Sequence, residues 1–401
     1  MGTLTITDFV EEISRLPFEE QLQAIRRHLH QHPEIGFQEV ETSFFLQTYL
    51  QKLGLTPVGP LAKTGFYVEI KGNPSQPIIG YRADMDALPI QDEKSVPYAS
   101  CVPGKGHLCG HDAHMTIALG IARLLVERQT DLKGTVRIFF QPNEEGAPSG
   151  AQAMVQSGIL QEMQAIYAIH VDPTLPVGTF GLAAGPVTAA SDGFTITIKG
   201  PGTGHSARPH QNVDTVWIAV QIMNTLYQII GRLTDARNPA VLTFCLLRGG
   251  EALNVIPDEV LIGGTLRSIE PNDRIFLKEQ IVHLSQDIAA RYGGRATVDF
   301  RQGSPAVINH PDLIKHISEV ITDIHGCGAI FEIPRPSMGS EDFAYYTEQI
   351  PGALVRVGTA GSQDTRYPLH DTLFDVDERA LPIAARVMSE VLFRHLQQLP
   401  C

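Results

Sequence analysis

Short apolar runs bounded by polar residues recur in the first half of the chain and again near its carboxyl end. Such runs are typical of strands that are buried on both faces of a parallel sheet. They predict strands that end near Ala83, Phe140, Ile169 and Val357. Between them, stretches such as HMTIALGIARLLVERQ repeat apolar residues at helical spacing. The pattern therefore predicts an α/β domain with a mixed, largely parallel sheet flanked by helices.

The pattern changes in the middle of the chain. The stretches GFTITIKG, AVLTFCLL, EVLIGGTLRSI and RATVDFRQG alternate apolar and polar residues, as antiparallel strands with one exposed face do. Two helical stretches accompany them, around residues 213–231 and 271–292. After SPAVINHPDL the chain returns to α/β character. We therefore expect one domain made of residues 1–186 and 303–401, with an α+β domain of residues 187–302 inserted into it.

Composition and charge exclude several classes of partner. Thirty-one basic and 44 acidic residues give a formal net charge of −13, which repels nucleic-acid phosphates and anionic lipid headgroups. No stretch approaches the ~20 apolar residues that a membrane span needs. The first residues lack the cationic start and apolar core of a secretory signal. We expect no nucleic acid and no membrane as a partner.

The cysteines indicate a cellular compartment. There are five, at positions 101, 109, 245, 327 and 401, and they lack the spacing of a disulfide framework. An odd number of unpatterned cysteines fits a reducing environment. The predicted localisation is therefore cytoplasmic.

Polar side chains follow three of the predicted strands at the point where each strand ends. Asp84 and Asp86 follow the first, Glu144 and Glu145 the second, and His170 the third. Open α/β sheets place their ligand crevice at this edge. The sequence therefore predicts a site there.

The stretch GHLCGHDAHM, which opens a predicted helix, is rich in metal-ligand chemistry. Cys109 and His111 lie two residues apart and can turn toward one point, and thiolate and imidazole are good ligands for zinc-like ions. Asp112 and His114 follow within reach as hydrogen-bond partners of such ligands. The alternative interpretation is a core cysteine beside surface histidines.

Two adjacent carboxylates follow the second strand. Glu144 and Glu145 repel each other unless a cation or a proton compensates their charge. One of them can bind metal while the other serves as a base, and a solvated loop pair is the alternative. His170 and His370 are each compatible with a structural role when considered alone. Together these stretches supply five ligands, enough for two metals that share a bridge: Cys109, His111, Glu145, His170 and His370.

The inserted domain adds three candidates. GPGTGHSARPH, residues 200–210, is a glycine-rich loop that presents His205 and lacks the lysine and the spacing of a phosphate-binding loop. A plain hairpin loop is the alternative. Asn254 in EALNVIPDEV and Arg267 in GTLRSIE are equally compatible with a structural role.

Nine stretches occur in a fixed order along the chain: HQHPEIGFQE, YRADMDALPI, GHLCGHDAHM, QPNEEG, IHVDP, GHSARPHQNVD, NVIP, GSEDFAYY and LHDTLFDVDE. In this order they resemble the motifs of the dinuclear metallo-amidohydrolases, from about residue 25 to 395. The branch that the chain resembles contains hippurate hydrolases, auxin-conjugate amidohydrolases, N-acyl-amino-acid hydrolases and N-acetyldiaminopimelate deacetylases. Nine motifs in order are hard to obtain by chance.

The resemblance implies two divalent metal ions per chain, of zinc, manganese, nickel or cobalt, with the Cys109 thiolate as the bridge. It implies that the ligands are those named above: Cys109, His111, Glu145, His170 and His370. Asp84, Asp112 and His114 are then expected to hold these ligands through hydrogen bonds.

The resemblance also implies roles for the remaining candidates. Glu144 is similar to the general base that deprotonates the attacking water. His205 is similar to a residue of the inserted lid, which in dimeric members comes from the lid of the partner subunit, that stabilises the oxyanion. Asn254 and Arg267 are candidates for binding the α-carboxylate of the substrate. The inserted domain is accordingly expected to act in closure and dimerisation, within a homodimer or a higher homo-oligomer.

The predicted function is a metal-dependent amidohydrolase that cleaves the amide bond of small N-acyl amino acids. The alternative within enzymes is a dipeptidase, a carboxypeptidase or a carbamoyl-amino-acid amidase with the same centre. A further alternative, outside the enzymes, is a ligand-binding or regulatory protein that kept the pocket and lost turnover. The intact Glu144 and the full ligand set argue against that last alternative.

Overall fold

The structure is a computed structural model that describes residues 5–399, so Cys401 lies outside the described residues. The helices within this range are α1 (Ile6–Ile13), α2 (Phe18–Gln31), α3 (Val40–Lys52), α4 (His111–Glu127), α5 (Gly150–Gln156), α6 (Thr215–Ile229), α7 (Pro271–Arg291), α8 (Pro311–His325), α9 (Ala344–Thr347) and α10 (Ala380–Gln398). The strands are β1 (Val58–Leu61), β2 (Gly65–Lys71), β3 (Ile78–Asp84), β4 (Thr135–Gln141), β5 (Met163–Pro176), β6 (Phe180–Leu182), β7 (Gly185–Pro186), β8 (Ala190–Lys199), β9 (Gly204–His205), β10 (Ala240–Gly249), β11 (Val255–Ile256), β12 (Glu259–Ser268), β13 (Arg295–Gln302), β14 (Ile308–Asn309), β15 (Ile330–Glu332) and β16 (Gly352–Ala360).

The described chain forms two compact units. The first comprises residues 5–185, 308–335 and 342–399, and the second comprises residues 186–307 and 336–341. Each has its own apolar core. No helix within residues 5–399 combines the length and the apolar character needed to cross a membrane.

The first unit is built on an eight-stranded sheet with the order β1-β2-β4-β3-β5-β16-β6-β15. Its centre, from β4 through β3 and β5 to β16, is parallel, whereas β1, β2 and β6 join antiparallel neighbours. β3 and β4 are buried along their whole length, as their continuous apolar runs predict. The predicted mixed, largely parallel sheet flanked by helices is confirmed.

Helix α4 fixes one edge of the candidate site. It begins at His111 and is buried along most of its length, where it contacts α2, α10 and β3. A helix that is apolar on nearly all sides is stable only inside a core. Its first turn, which carries the predicted ligand, is therefore held firmly against the sheet.

Two strands are longer than the sequence predicts. β5 extends to Pro176 and β16 to Ala360, beyond the predicted ends near Ile169 and Val357. His170 therefore lies within a strand, and the expectation that it follows a strand end is wrong. The two strands continue because each supplies hydrogen-bond partners for the backbone of the other past this point.

The second unit contains a four-stranded antiparallel sheet with the order β10-β12-β8-β13. Helices α6 and α7 pack on it, and apolar residues of both helices and of the sheet form its core. The alternating strands and the two helices that the sequence predicts for this region are confirmed.

Candidate metal centre

A glycine places Cys109 and His111. Gly110 precedes α4 with a φ of +89°, in the left-handed region that favours glycine. A Cβ at this position would lie 2.3 Å from Cγ2 of Val171. The backbone can therefore run close against β5, and Sγ of Cys109 lies 3.5 Å from Nε2 of His170.

Five side chains of the first unit form two overlapping clusters. The ligand atoms of Cys109, His111 and His170 all lie within 4.8 Å of one another, and so do those of Cys109, Glu145 and His370. Cys109 belongs to both clusters. The four segments that carry the predicted ligands therefore meet around one sulfur atom.

His370 comes from the loop between β16 and α10. Its Nε2 lies 3.0 Å from Oε1 of Glu145, and its backbone N–H donates to the carbonyl of Leu108 at 2.7 Å. Its φ is +69°, which costs a residue with a side chain about 1–3 kcal/mol. Such a conformation persists only where the surrounding contacts determine it.

Asp86 holds the two adjacent glutamates, a role that the sequence reasoning did not assign. Its Oδ1 and Oδ2 accept the backbone N–H groups of Glu144 and Glu145 at 2.9 and 3.0 Å. Its backbone carbonyl accepts Nδ1–H of His111 at 2.8 Å, which leaves Nε2 of that ring facing the clusters. The signal for Asp86 was its position in RADMD, two residues after the strand-end Asp84.

Glu144 lies beside the clusters. Its Oε2 is 4.0 Å from Nε2 of His111, and its ligand atom lies within 4.8 Å of those of His111 and Glu145. Its Oε1 accepts the backbone N–H of Asp342 at 3.4 Å. Because its side chain is 11% exposed, the carboxylate can exchange a proton with a molecule that enters from solvent.

Both ring nitrogens of His114 are engaged. Nδ1 lies 2.7 Å from Oδ1 of Asp84, and Nε2 accepts the backbone N–H of Val171 at 3.0 Å. His114 therefore joins α4 to the segment that follows His170 and has no lone pair left for a metal. Burial raises the pKa of Asp84, but Arg82, His111 and His114 together outweigh it and hold the pKa well below its ordinary value.

Asp112 has its partners on α2. Its Oδ2 accepts a hydrogen bond from Nε of Arg26 at 2.9 Å and lies 2.7 Å from Nδ1 of His30. All three side chains are fully buried. The sequence reasoning assigned no role to Arg26 or His30, although His30 is the first residue of the stretch HQHPEIGFQE.

The electrostatics of the clusters fit a divalent cation. Burial raises the pKa of the Cys109 thiol to about 12, and Glu145 adds to this effect. Burial lowers the pKa of His111, but Asp84, Asp86 and Cys109 together outweigh it and raise the pKa well above its ordinary value. Within residues 5–399, no hydrogen-bond partner reaches the buried Nε2 of His111. A cation would stabilise the thiolate and, by displacing the proton on Nε2 of His111, use the lone pair of that imidazole.

The three remaining candidates belong to the second unit. His205 is exposed and accepts the backbone N–H of Ala207 at Nδ1, at 3.1 Å. β9 pairs with β11, and this pairing places the segment of His205 next to that of Asn254. Arg267, on β12, donates to the carbonyl of Met338 at 2.7 Å.

The fold and the clusters define a metal-dependent hydrolase, in which a divalent metal centre lies on a mixed α/β sheet. The chain belongs to peptidase family M20/M25/M40, whose family model matches residues 80–394. Its curated relatives include named hydrolases and deacetylases. The chain is therefore an amidohydrolase of this family.

Three relatives illustrate the similarity. N-acetylcysteine deacetylase of Bacillus subtilis (strain 168) is 38% identical over 375 residues, which cover 93% of this chain and 96% of that protein. IAA-amino acid hydrolase ILR1-like 5 of Arabidopsis thaliana is 38% identical over 394 residues, 97% of this chain and 90% of that protein. The crystal structure of a dinuclear metal binding peptidase of the M20 family from Bacillus subtilis superposes with a TM-score of 0.85 at 36% identity, over 95% of this chain and 99% of that one.

Proposed function

We propose that this chain hydrolyses the amide bond of small N-acyl amino acids at a centre of two divalent ions. The observation that carries the proposal is that two ligand clusters share Cys109, while the carboxylate of Glu144 lies beside them. The names of the deacetylase and of the IAA-amino acid hydrolase support the substrate class.

In this proposal, Cys109, His111 and His170 would hold one ion, and Cys109, Glu145 and His370 would hold the other. When bound, such a pair of ions polarises the amide carbonyl and lowers the pKa of water. Zinc, manganese, nickel and cobalt are the candidate metals. A thiolate ligand favours zinc, nickel or cobalt over manganese, because sulfur is a soft ligand.

Glu144 is the proposed general base. Its backbone is fixed by Asp86, and its carboxylate is accessible from solvent, so it can take a proton from the attacking water and deliver it to the leaving nitrogen. His205 is proposed to donate to the oxygen that gains negative charge in the transition state. Asn254 and Arg267 are proposed to bind the α-carboxylate of the amino acid.

The second unit supports a proposed homodimer. Its sheet has two edge strands, and the exposed side chains of β13 include three charged ones: Arg295, Asp299 and Arg301. The exposed side chains of β10 instead include one charged residue, Arg248, beside uncharged ones such as Val241 and Leu247. Charged side chains protect an edge strand from pairing, and uncharged ones do not.

Helix α6, which packs beside β10, adds further uncharged surface. Its exposed apolar residues include Val216, Trp217, Val220 and Tyr227. A second copy of the chain fits such a surface, because antiparallel pairing of β10 with β10 of the partner subunit obeys two-fold symmetry.

A metal and substrate panel tests the activity. Chelator-treated protein is supplied with each candidate metal in turn and assayed with acetyl-, benzoyl- and carbamoyl-amino acids and with dipeptides. We expect metal-dependent hydrolysis of acyl amino acids that exceeds hydrolysis of dipeptides and carbamoyl compounds. Glu144→Gln, which keeps the shape and removes the proton acceptor, should lose turnover by about 10²- to 10⁴-fold and keep its metals. Preference for dipeptides or carbamoyl compounds would overturn the substrate class, and near-normal turnover of Glu144→Gln would overturn the role of the base.

A further inference from the structure

A buried arginine joins two segments that carry ligand candidates. Arg26 lies on α2, and its side chain is fully buried. Its Nε donates to Oδ2 of Asp112 at 2.9 Å, and its Nη2 donates to Oδ1 of Asp375 at 2.6 Å. Asp112 is the neighbour of His111 in α4, and Asp375 lies in the loop that carries His370.

The guanidinium fixes the separation of the two carboxylates. Its planar fork of N–H donors holds both in one geometry, which a lysine ammonium cannot reproduce. Tyr98 supports the arrangement, because its hydroxyl donates to Oδ2 of Asp375 at 2.8 Å and its ring lies 5.0 Å from the guanidinium carbon of Arg26. A buried ion pair of this kind is costly to break, since each buried carboxylate that remains loses the positive charge of Arg26.

The two segments depend on this link to different degrees. His111 begins a buried helix, and Asp86 accepts its Nδ1–H. His370 lies on a loop with its side chain 49% exposed. Its backbone is held at a positive φ by the hydrogen bond to Leu108. Loss of Arg26 should therefore displace His370 more than His111.

We infer that Arg26 is a positioning residue that sets the distance between His370 and the Cys109–His111 pair. It thereby controls the affinity for the ion held by Cys109, Glu145 and His370. The inference rests on the proposed two-ion centre. Arg26 acts through Asp112 and Asp375, and partners of this kind typically change metal affinity by about 10- to 100-fold when they are removed.

Cobalt binding to chelator-treated protein, measured by equilibrium dialysis, tests the inference without an activity assay. Wild-type protein should bind two Co²⁺ ions, and Arg26→Gln should bind one of them about 10- to 100-fold more weakly. Arg26→Lys, which keeps the charge without the fork, should give a smaller loss. In His370→Ala the affinity for the same ion should be lower, and adding Arg26→Gln to that variant should lower this affinity little further.

Two more variants separate positioning from stability. Tyr98→Phe removes one hydrogen bond to Asp375 and keeps the ring, so it should lower the affinity for the same ion. It therefore tests the inference even if Arg26→Gln fails to fold. Arg137→Gln is the matched control, because Arg137 is a buried arginine of the same unit that pairs with Glu69. It should lower Tm and leave both cobalt affinities unchanged.

The outcomes distinguish the inference from the proposal on which it rests. Unchanged cobalt affinities in Tyr98→Phe and in folded Arg26→Gln would overturn the positioning role, whatever the change in Tm. A single Co²⁺ ion in wild-type protein would instead overturn the two-ion centre itself.

Discussion

The backbone N–H of Glu144 donates a hydrogen bond of 2.9 Å to Oδ1 of Asp86. The other oxygen of the same carboxylate accepts the next backbone N–H, that of Glu145, at 3.0 Å. One buried carboxylate thus fixes the main chain of both the proposed base and a proposed metal ligand.

Asp86→Asn should lower kcat, because the amide offers only one acceptor oxygen to two N–H donors and turns its own NH₂ group toward one of them. We expect a loss of about 10- to 100-fold, measured as kcat and KM together with metal content. The exposed Asp131→Asn serves as the acid-to-amide control. Full activity of Asp86→Asn would show that the hydrogen bonds to Asp86 do not position Glu144.

Cys109→Ser should weaken the binding of both ions, because Cys109 belongs to both clusters and an alcohol is a poorer anionic ligand than a thiolate. Zinc affinity and stoichiometry, measured by equilibrium dialysis, check this expectation. Cys101→Ser, at an exposed free cysteine, should leave both unchanged. If Cys109→Ser also binds zinc normally, Cys109 is a core thiol and not a bridge.

His205→Ala should lower kcat by about 10²-fold or more, because a contact to the oxyanion acts mainly in the transition state. Metal content and Tm should stay constant, since His205 is exposed and lies in the second unit. His210→Ala, at an exposed histidine of the same loop, is the control. A lower Tm with kcat of the folded protein intact would identify His205 as a structural turn residue.

Leu247→Lys should dissociate the proposed homodimer, because it adds a charge to the edge strand β10, whose exposed side chains are uncharged except for Arg248. Light scattering coupled to size-exclusion chromatography measures the mass of each species. Thr297→Lys, on the already charged edge strand β13, should leave the mass unchanged. A Leu247→Lys variant with the mass of the wild type would exclude β10 as the interface.

The free energy of unfolding should fall as the pH drops from about 6.5 to about 4. Burial and the nearby His316 lower the pKa of His395 to about 4, so the unfolded chain binds this proton at a higher pH than the folded protein does. Urea unfolding of chelator-treated protein across this pH range measures how steeply the free energy of unfolding changes with pH. His395→Gln keeps a partner for the Tyr167 hydroxyl, which lies 2.8 Å from Nδ1. The free energy of unfolding should depend less steeply on pH in this variant. An equal dependence would contradict the assignment of the effect to His395.

Local patterns in the sequence predicted much of the fold. The spacing of apolar residues indicated the buried strands β3 and β4, the helix that begins at His111, and the antiparallel strands of the second unit. These elements depend on residues that are close in the chain, so periodicity reports them. The end of β5 could not be read in this way, because it depends on backbone pairing with β16, which lies far away in sequence.

The sequence by itself determined which chemical groups are available to the site, since Cys109, Glu145 and His370 are recognisable as ligand types wherever they stand. The roles assigned to them and the domain boundaries remain predictions. Only the tertiary structure decided that Cys109 lies in both clusters and that Asp86 holds Glu144. It also joined Arg26 to Asp375, 349 residues apart. Hydrogen bonds and ion pairs act over a few ångströms in space, and no local pattern records which distant segments the folded core brings within that reach.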